Sequence, residues 1–107
     1  MTNPYEGEVA LTVDGTPRRM RLTLGALASL EANMVTGGLV PLVKRFECGE
    51  FGTRDVVAVL LAGLRGGGWD GDVDALLEAE IEGGPVAAIR AAAELLGRAF
   101  VLPREPS

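Results

Sequence analysis

Histidine is missing from this chain, and cysteine, tryptophan and tyrosine each occur once. Without an imidazole the commonest general acid–base group is gone, and Cys48 has no histidine to activate it as a nucleophile. A lone cysteine also excludes an intramolecular disulfide, which suits a reducing cytoplasm. A zinc site has nothing to build on. Aromatics are 5% of the residues while the hydrophobic set reaches 48%, so the core must be aliphatic, made of Leu, Val, Ala, Ile and Met. No apolar run approaches the length that spans a bilayer. MTNPYEGE at the start has neither a basic region nor an apolar run, so it does not read as a signal peptide.

Positive charge is scarce as well. The formal net charge is −5 and the pI is about 4.6. A nucleic-acid binder gains affinity by neutralising phosphates, so an acidic chain starts at a disadvantage. Local exceptions are Arg18, Arg19 and Arg21, whose strand reads first as a solvated hairpin edge, and the pair Lys44 and Arg45. The length, 107 residues, allows one domain with one modest core.

What is present is alternation followed by helical periodicity. Val9, Leu11 and Val13 alternate with Glu8, Ala10 and Thr12, the period of a half-buried strand. Asp14-Gly15 tolerates positive φ at both positions, a strong two-residue turn signal. That turn places Val13 opposite Thr16, Leu11 opposite Arg18 and Val9 opposite Met20. It also sets Glu8 opposite Arg21, a cross-strand pair worth about 0.2–1 kcal/mol. A lone hairpin is marginal and must pack on something.

The 15 glycines fall between periodic segments and punctuate them. Thr23 is the expected N-cap of a first helix from Leu24 to about Asn33, with Leu24, Leu27, Leu30 and Met34 inward. Leu39, Leu42, Val43 and Phe46 share one face of a second helix, with Pro41 in its first turn. Thr53 is expected to cap a third, with Asp55 in its first turn and Val57, Leu60, Leu61 and Leu64 inward. Val56, Ala58 and Val59 widen that stripe, so this helix should be the most buried. Gly66-Gly67-Gly68 stops it. A fourth helix turns Val73, Leu76, Leu77 and Ile81 inward. A fifth begins at Pro85 and carries Val86, Ile89, Ala93, Leu96 and Phe100. The expected fold class is α+β, mostly helical, with an N-terminal β-hairpin packed on about five short α-helices.

No constellation proposes a reaction. Glu78, Glu80 and Glu82 cluster, but on a helix they diverge, and they lack the loop spacing that wraps calcium. The triple glycine follows neither phosphate-binding pattern. An acyl carrier would need an Asp-Ser pair, which is absent. The expectation is therefore no catalytic residue, no cofactor and no metal. Five short helices with aliphatic stripes leave apolar surface for a core plus one groove, without singling out the helix that lines it, and the fifth helix is one candidate. Two features stand above the rest. Glu31, beside the apolar stripe of the first helix, borders the core or pairs with a hairpin arginine. Leu39, Leu42, Val43 and Phe46 lie on a short, glycine-flanked helix whose apolar face packs in the core by default or receives a partner helix. With Phe51 they are the candidate partner-binding residues.

Arg21 to Glu31 reads RLTLGALASLE and follows GEVALTVDGTPRRM. Together these segments resemble the start of the gene transfer agent family, small proteins encoded in phage-like tail gene clusters. FGTRDVVAVL (Phe51 to Leu60), GLRGGG (Gly63 to Gly68) and EGGP at Glu82 extend the resemblance over nearly the whole chain. It implies a place in the phage tail assembly chaperone group. There the protein would bind the helical tape measure protein, or other tail proteins, in the cytoplasm of a bacterial host. Neither catalysis, nucleic acid nor membrane is expected, and self-association is left open. A structural component of the tail or its connector is the alternative. A DNA-binding regulator using Arg18, Arg19 and Arg21 ranks last. The whole of 1–107 is expected to be a single tail-assembly-chaperone-like domain, with the hairpin over about 7–22, helices over about 24–101 and a frayed tail at 102–107.

Overall fold

Asp14 (φ 52°) and Gly15 (φ 80°) both adopt left-handed backbone in the computed structural model, which describes residues 8–32 and 38–99. This is the turn geometry whose twist matches that of paired strands. It closes β1 (Val9–Val13) and β2 (Thr16–Met20) into an antiparallel hairpin. The register is the expected one: Val9 with Met20, Leu11 with Arg18, Val13 with Thr16. Val9, Leu11, Val13 and Met20 are buried. The Glu8–Arg21 pair does not form. Arg21 instead donates from Nε to the Gly66 carbonyl, 3.3 Å away, while Glu8 Oε1 is buried with no hydrogen-bond partner among the described residues.

The described residues add five helices, giving a mostly helical α+β fold: α1 (Leu24–Ala32), α2 (Leu39–Cys48), α3 (Thr53–Gly66), α4 (Val73–Glu78) and α5 (Gly84–Ala99). Thr23 caps α1 as expected, its Oγ1 accepting from the Ala26 N–H at 3.0 Å. The buried face of α1 is Ala26 and Leu30, however, and Leu24 is 86% exposed. Close packing against the C-terminal end of α3 demands a small residue, and Ala26 meets that demand where leucine cannot. The contributions expected from Asn33, Met34 and Phe100, and the tail at 102–107, lie outside the described residues.

Helix α3 is the centre of the molecule, packing against α1, α4, α5 and β2. Its N-cap is Gly52 rather than Thr53, and Asp55 Oδ2 accepts the Gly52 N–H at 3.0 Å. Val56, Val59, Leu60, Ala62, Gly63 and Leu64 are buried, while Val57 and Leu61 are only half-buried. The core thus takes the Val56 and Val59 side of the wide stripe expected, together with Leu60 and Leu64, and leaves Val57 and Leu61 at its edge. Gly63 is the reason: a Cβ there would sit 2.5 Å from Leu95 Cδ1 and 3.2 Å from Met20 Cβ, so the bare Gly63 face is where α5 and β2 approach. Gly66 and Gly67 likewise press against the carbonyl oxygens of Arg21 and Arg19. The triple glycine ends the helix and also lets it close on β2.

Asp72 caps α4 by accepting the Ala75 N–H at 2.9 Å. The helix stops at Glu78, earlier than the periodicity predicts. Residues 79–82 instead run extended beside β1: Ile81 bridges to Val13, the Asp14 N–H donates to the Glu80 carbonyl at 2.8 Å, and the Glu82 N–H donates to the Thr12 carbonyl at 3.1 Å. Ile81 thus packs against the core from a bridge, and Glu80 and Glu82 are not helical. In α5 the buried face is Ala91, Ala92, Leu95 and Leu96. Val86 and Ala93, expected inward, are exposed. Paired alanines bring the α5 backbone close to its neighbours, and that sets the helix rotation.

Candidate functional site

The five residues expected to bind a partner gather around α2, and the structure draws them into the molecule to different depths. Leu42 has no exposed surface. Leu39, Val43, Phe46 and Phe51 are half-buried and pack against the core. Phe46 and Phe51 stack, with ring centroids 4.6 Å apart and planes 7° from parallel. Gly49, in left-handed backbone at φ 77°, turns the chain so that Phe51 can return onto Phe46.

The same turn brings Arg45, in the last turn of α2, onto Asp55, in the first turn of α3. Arg45 Nη2 donates to Oδ1 at 2.8 Å and Nε donates to Oδ2 at 3.3 Å. This hydrogen-bonded pair holds the Asp55 carboxyl below the usual carboxylate range; partial burial opposes it, and the Gly52 N–H reinforces it. The arginine is held above its ordinary value by the same partner. Each charge also complements the dipole of the helix it sits on. The pair therefore clamps α2 to α3 and carries no sign of chemistry.

Among the described residues, two open apolar grooves flank α3. The larger, about 780 Å³, runs between α1 and α3 and is closed at one side by α4. Leu30 contributes from α1, Val57, Ala58 and Leu61 from α3, and Val73 and Leu77 from α4. The smaller, about 530 Å³, lies between α3, α4 and α5 and includes Phe51. Leu77, 60% exposed, and Val57 line both. The charged side chains lining the larger groove are Arg54 and Arg65. On a 3.6-residue helix, positions 54, 57, 58, 61 and 65 share one face. Helix α3 thus has two stripes, one packed in the core and one facing the groove with an arginine at either end.

Sequence reasoning allowed for one groove but placed Val57 and Leu61 in the core, so it did not locate the groove on α3. A signal existed: from Val56 to Ala62 the chain is apolar without interruption, wider than the one face a core needs. The arginines of the hairpin do not converge. Arg18 and Arg19, adjacent on a strand, point to opposite faces, and Arg21 is bound to Gly66. Cys48, a free thiol, is exposed at the end of α2. Among the described residues no group of acidic, cysteine or histidine side chains is placed to hold a metal ion. Among them too, no helix is long and apolar enough to cross a membrane.

The pieces among the described residues are therefore a braced helical scaffold and two apolar grooves. Comparison with curated proteins and with solved structures finds no match. A family model described as "Phage tail tube protein, GTA-gp10" matches residues 6–101. That description names a tube protein and no chaperone, so the resemblance read from the sequence holds for the gene transfer agent and phage tail connection. The match spans nearly the whole chain, and the chain belongs to this family of phage and gene transfer agent tail proteins.

Proposed function

We propose that the protein is a non-enzymatic structural component of the tail, in the tube or its connector, working through contacts with other tail proteins. The observation that carries this reading is the family match over residues 6–101, whose description is of a tail tube protein. The test is mass spectrometry of purified particles. A component is present at a fixed ratio to the other tail proteins. Its absence from intact particles overturns the reading.

A second reading, the tail assembly chaperone, draws support from the open groove beside α3. A client with long apolar helical stripes needs a partner that offers an apolar trough on a charged exterior. Under this reading, co-expression with the tape measure protein of the same gene cluster yields a soluble complex and the chain is lost from finished particles. A tape measure protein equally insoluble with and without the chain removes it.

A further inference from the structure

The groove between α1 and α3 departs in sign from the rest of the molecule. The chain carries a net charge of −5, yet the charged groups lining this groove are Arg54 and Arg65, and its walls are otherwise aliphatic or small. The two arginines stand eleven positions apart on α3, about 16 Å at the rise of an α-helix, and on the same face. Arg54 sits in the first turn of α3, where the dipole disfavours a cation, so its charge does not serve the helix. Arg65 is steadied over the C-terminal end of the groove by its Nε donating to the Gly71 carbonyl at 3.4 Å. Between them Val57, Ala58 and Leu61 form a continuous floor.

We propose that this groove docks one amphipathic helix of about three turns from another tail protein, with an apolar stripe facing Val57 and Leu61 and acidic residues near both ends to meet Arg54 and Arg65. The length follows from the spacing of the arginines, and the charge from their sign. Leu77 on α4 gives the helix an apolar flank, being exposed and aimed along the groove. This rests on the reading that the chain contacts other tail proteins.

Two synthetic amphipathic peptides test it, sharing one apolar stripe and carrying either glutamate or lysine at both ends. Fluorescence anisotropy at low salt should show the acidic peptide binding about tenfold more tightly, the order expected of two exposed charge pairs. That ratio should fall toward one as added salt screens the rim. In Arg54→Glu/Arg65→Glu, both exposed or rim positions, the preference should reverse while the far-ultraviolet circular dichroism stays unchanged. Leu77→Ser, also at an exposed site, should weaken both peptides alike. Equal binding of the two peptides, or binding of neither, overturns the proposal. A dimer in sedimentation that Leu77→Ser abolishes also overturns it, because the occupant is then a second copy. Particle composition is read independently, so loss of peptide binding with the chain still present in particles removes the groove assignment alone.

Discussion

Replacing Gly66 by alanine sets two residue-scale effects against each other. A helix gains at most about 1 kcal/mol when glycine becomes alanine. Here the added Cβ meets the carbonyl oxygen of Arg21, a backbone atom that cannot swing aside, and overpacking of this kind costs about 1–3 kcal/mol. Packing wins. Gly66→Ala should lower the urea midpoint, with a net loss of about 1–2 kcal/mol. Gly97 is the matched control, since it is helical and its Cβ would meet nothing within 4 Å. Gly97→Ala should raise the midpoint, with a net gain of about 0.5–1 kcal/mol in stability. If both substitutions move it the same way, close approach of α3 to β2 is not what keeps glycine at position 66.

At the scale of elements, two joints hold the fold and both can be titrated or cut. The first is the Arg45–Asp55 clamp between α2 and α3. Because the folded state depresses the Asp55 pKa, the clamp contributes stability above the unfolded-state value, and that contribution is lost as pH falls through the folded one. Thermal melts of the native protein and of Asp55→Asn should therefore differ near neutral pH and converge below the ordinary carboxylate range, about pH 4. A constant gap at all pH values would show that the carboxylate charge is not involved. The second joint is Asp14, whose N–H donates to the Glu80 carbonyl while its Oδ1 accepts the Glu80 N–H, both at 2.8 Å. Asp14→Ala removes the acceptor, worth about 1 kcal/mol, and places alanine in left-handed backbone, which costs about 1–2 kcal/mol more. Asp14→Asn keeps the acceptor and tolerates that backbone, so chemical denaturation should show most of the loss restored.

These joints also manage the hairpin's edges. One edge of β1 is covered by residues 80–82. On β2, Pro17 offers no N–H, and just beyond the strand the Arg21 N–H donates to the Gly63 carbonyl at 3.0 Å. Little free ladder remains for edge-to-edge strand addition. Contacts of this chain in a tail are therefore expected through helical faces.

For the whole molecule, stability should be graded outward from α3. That helix contributes six buried residues, against one each from α2 and α4. Native-state hydrogen exchange follows the cost of opening each unit. Amides of Val59, Leu60 and Leu64 should be the slowest to exchange, and those of α4 among the fastest helical ones. Equal protection of α3 and α4 would mean that the molecule opens only as one unit. Leu77 borders both grooves, so a small shift of a weakly held α4 changes their width and, under the docking proposal, their affinity for a helix.

Much of the architecture was legible in local signals, because local chemistry suffices to decide it. Asp14-Gly15 determines the turn, the turn determines the register, and Thr23, Asp72 and the glycine pairs mark helix ends through bonds to near neighbours. The rotation of each helix about its axis was not legible. Uninterrupted apolar runs such as Val56 to Ala62 leave several faces equally suited to a core, and the tie is broken by tertiary contact. Leu95 and Met20 close on the bare face of Gly63, which turns Val57 and Leu61 outward into the groove. The candidate site was hidden for the same reason. Arg54, Leu61 and Arg65 become one surface only once α3 has chosen its core face, and Leu77 of α4 joins them only in the tertiary structure. Local sequence signals were enough for the hairpin, the five helices in their order and the connection to gene transfer agent and phage tail proteins. The tertiary structure decided which apolar surface remained for a partner, because burial is settled by whichever backbones can approach most closely.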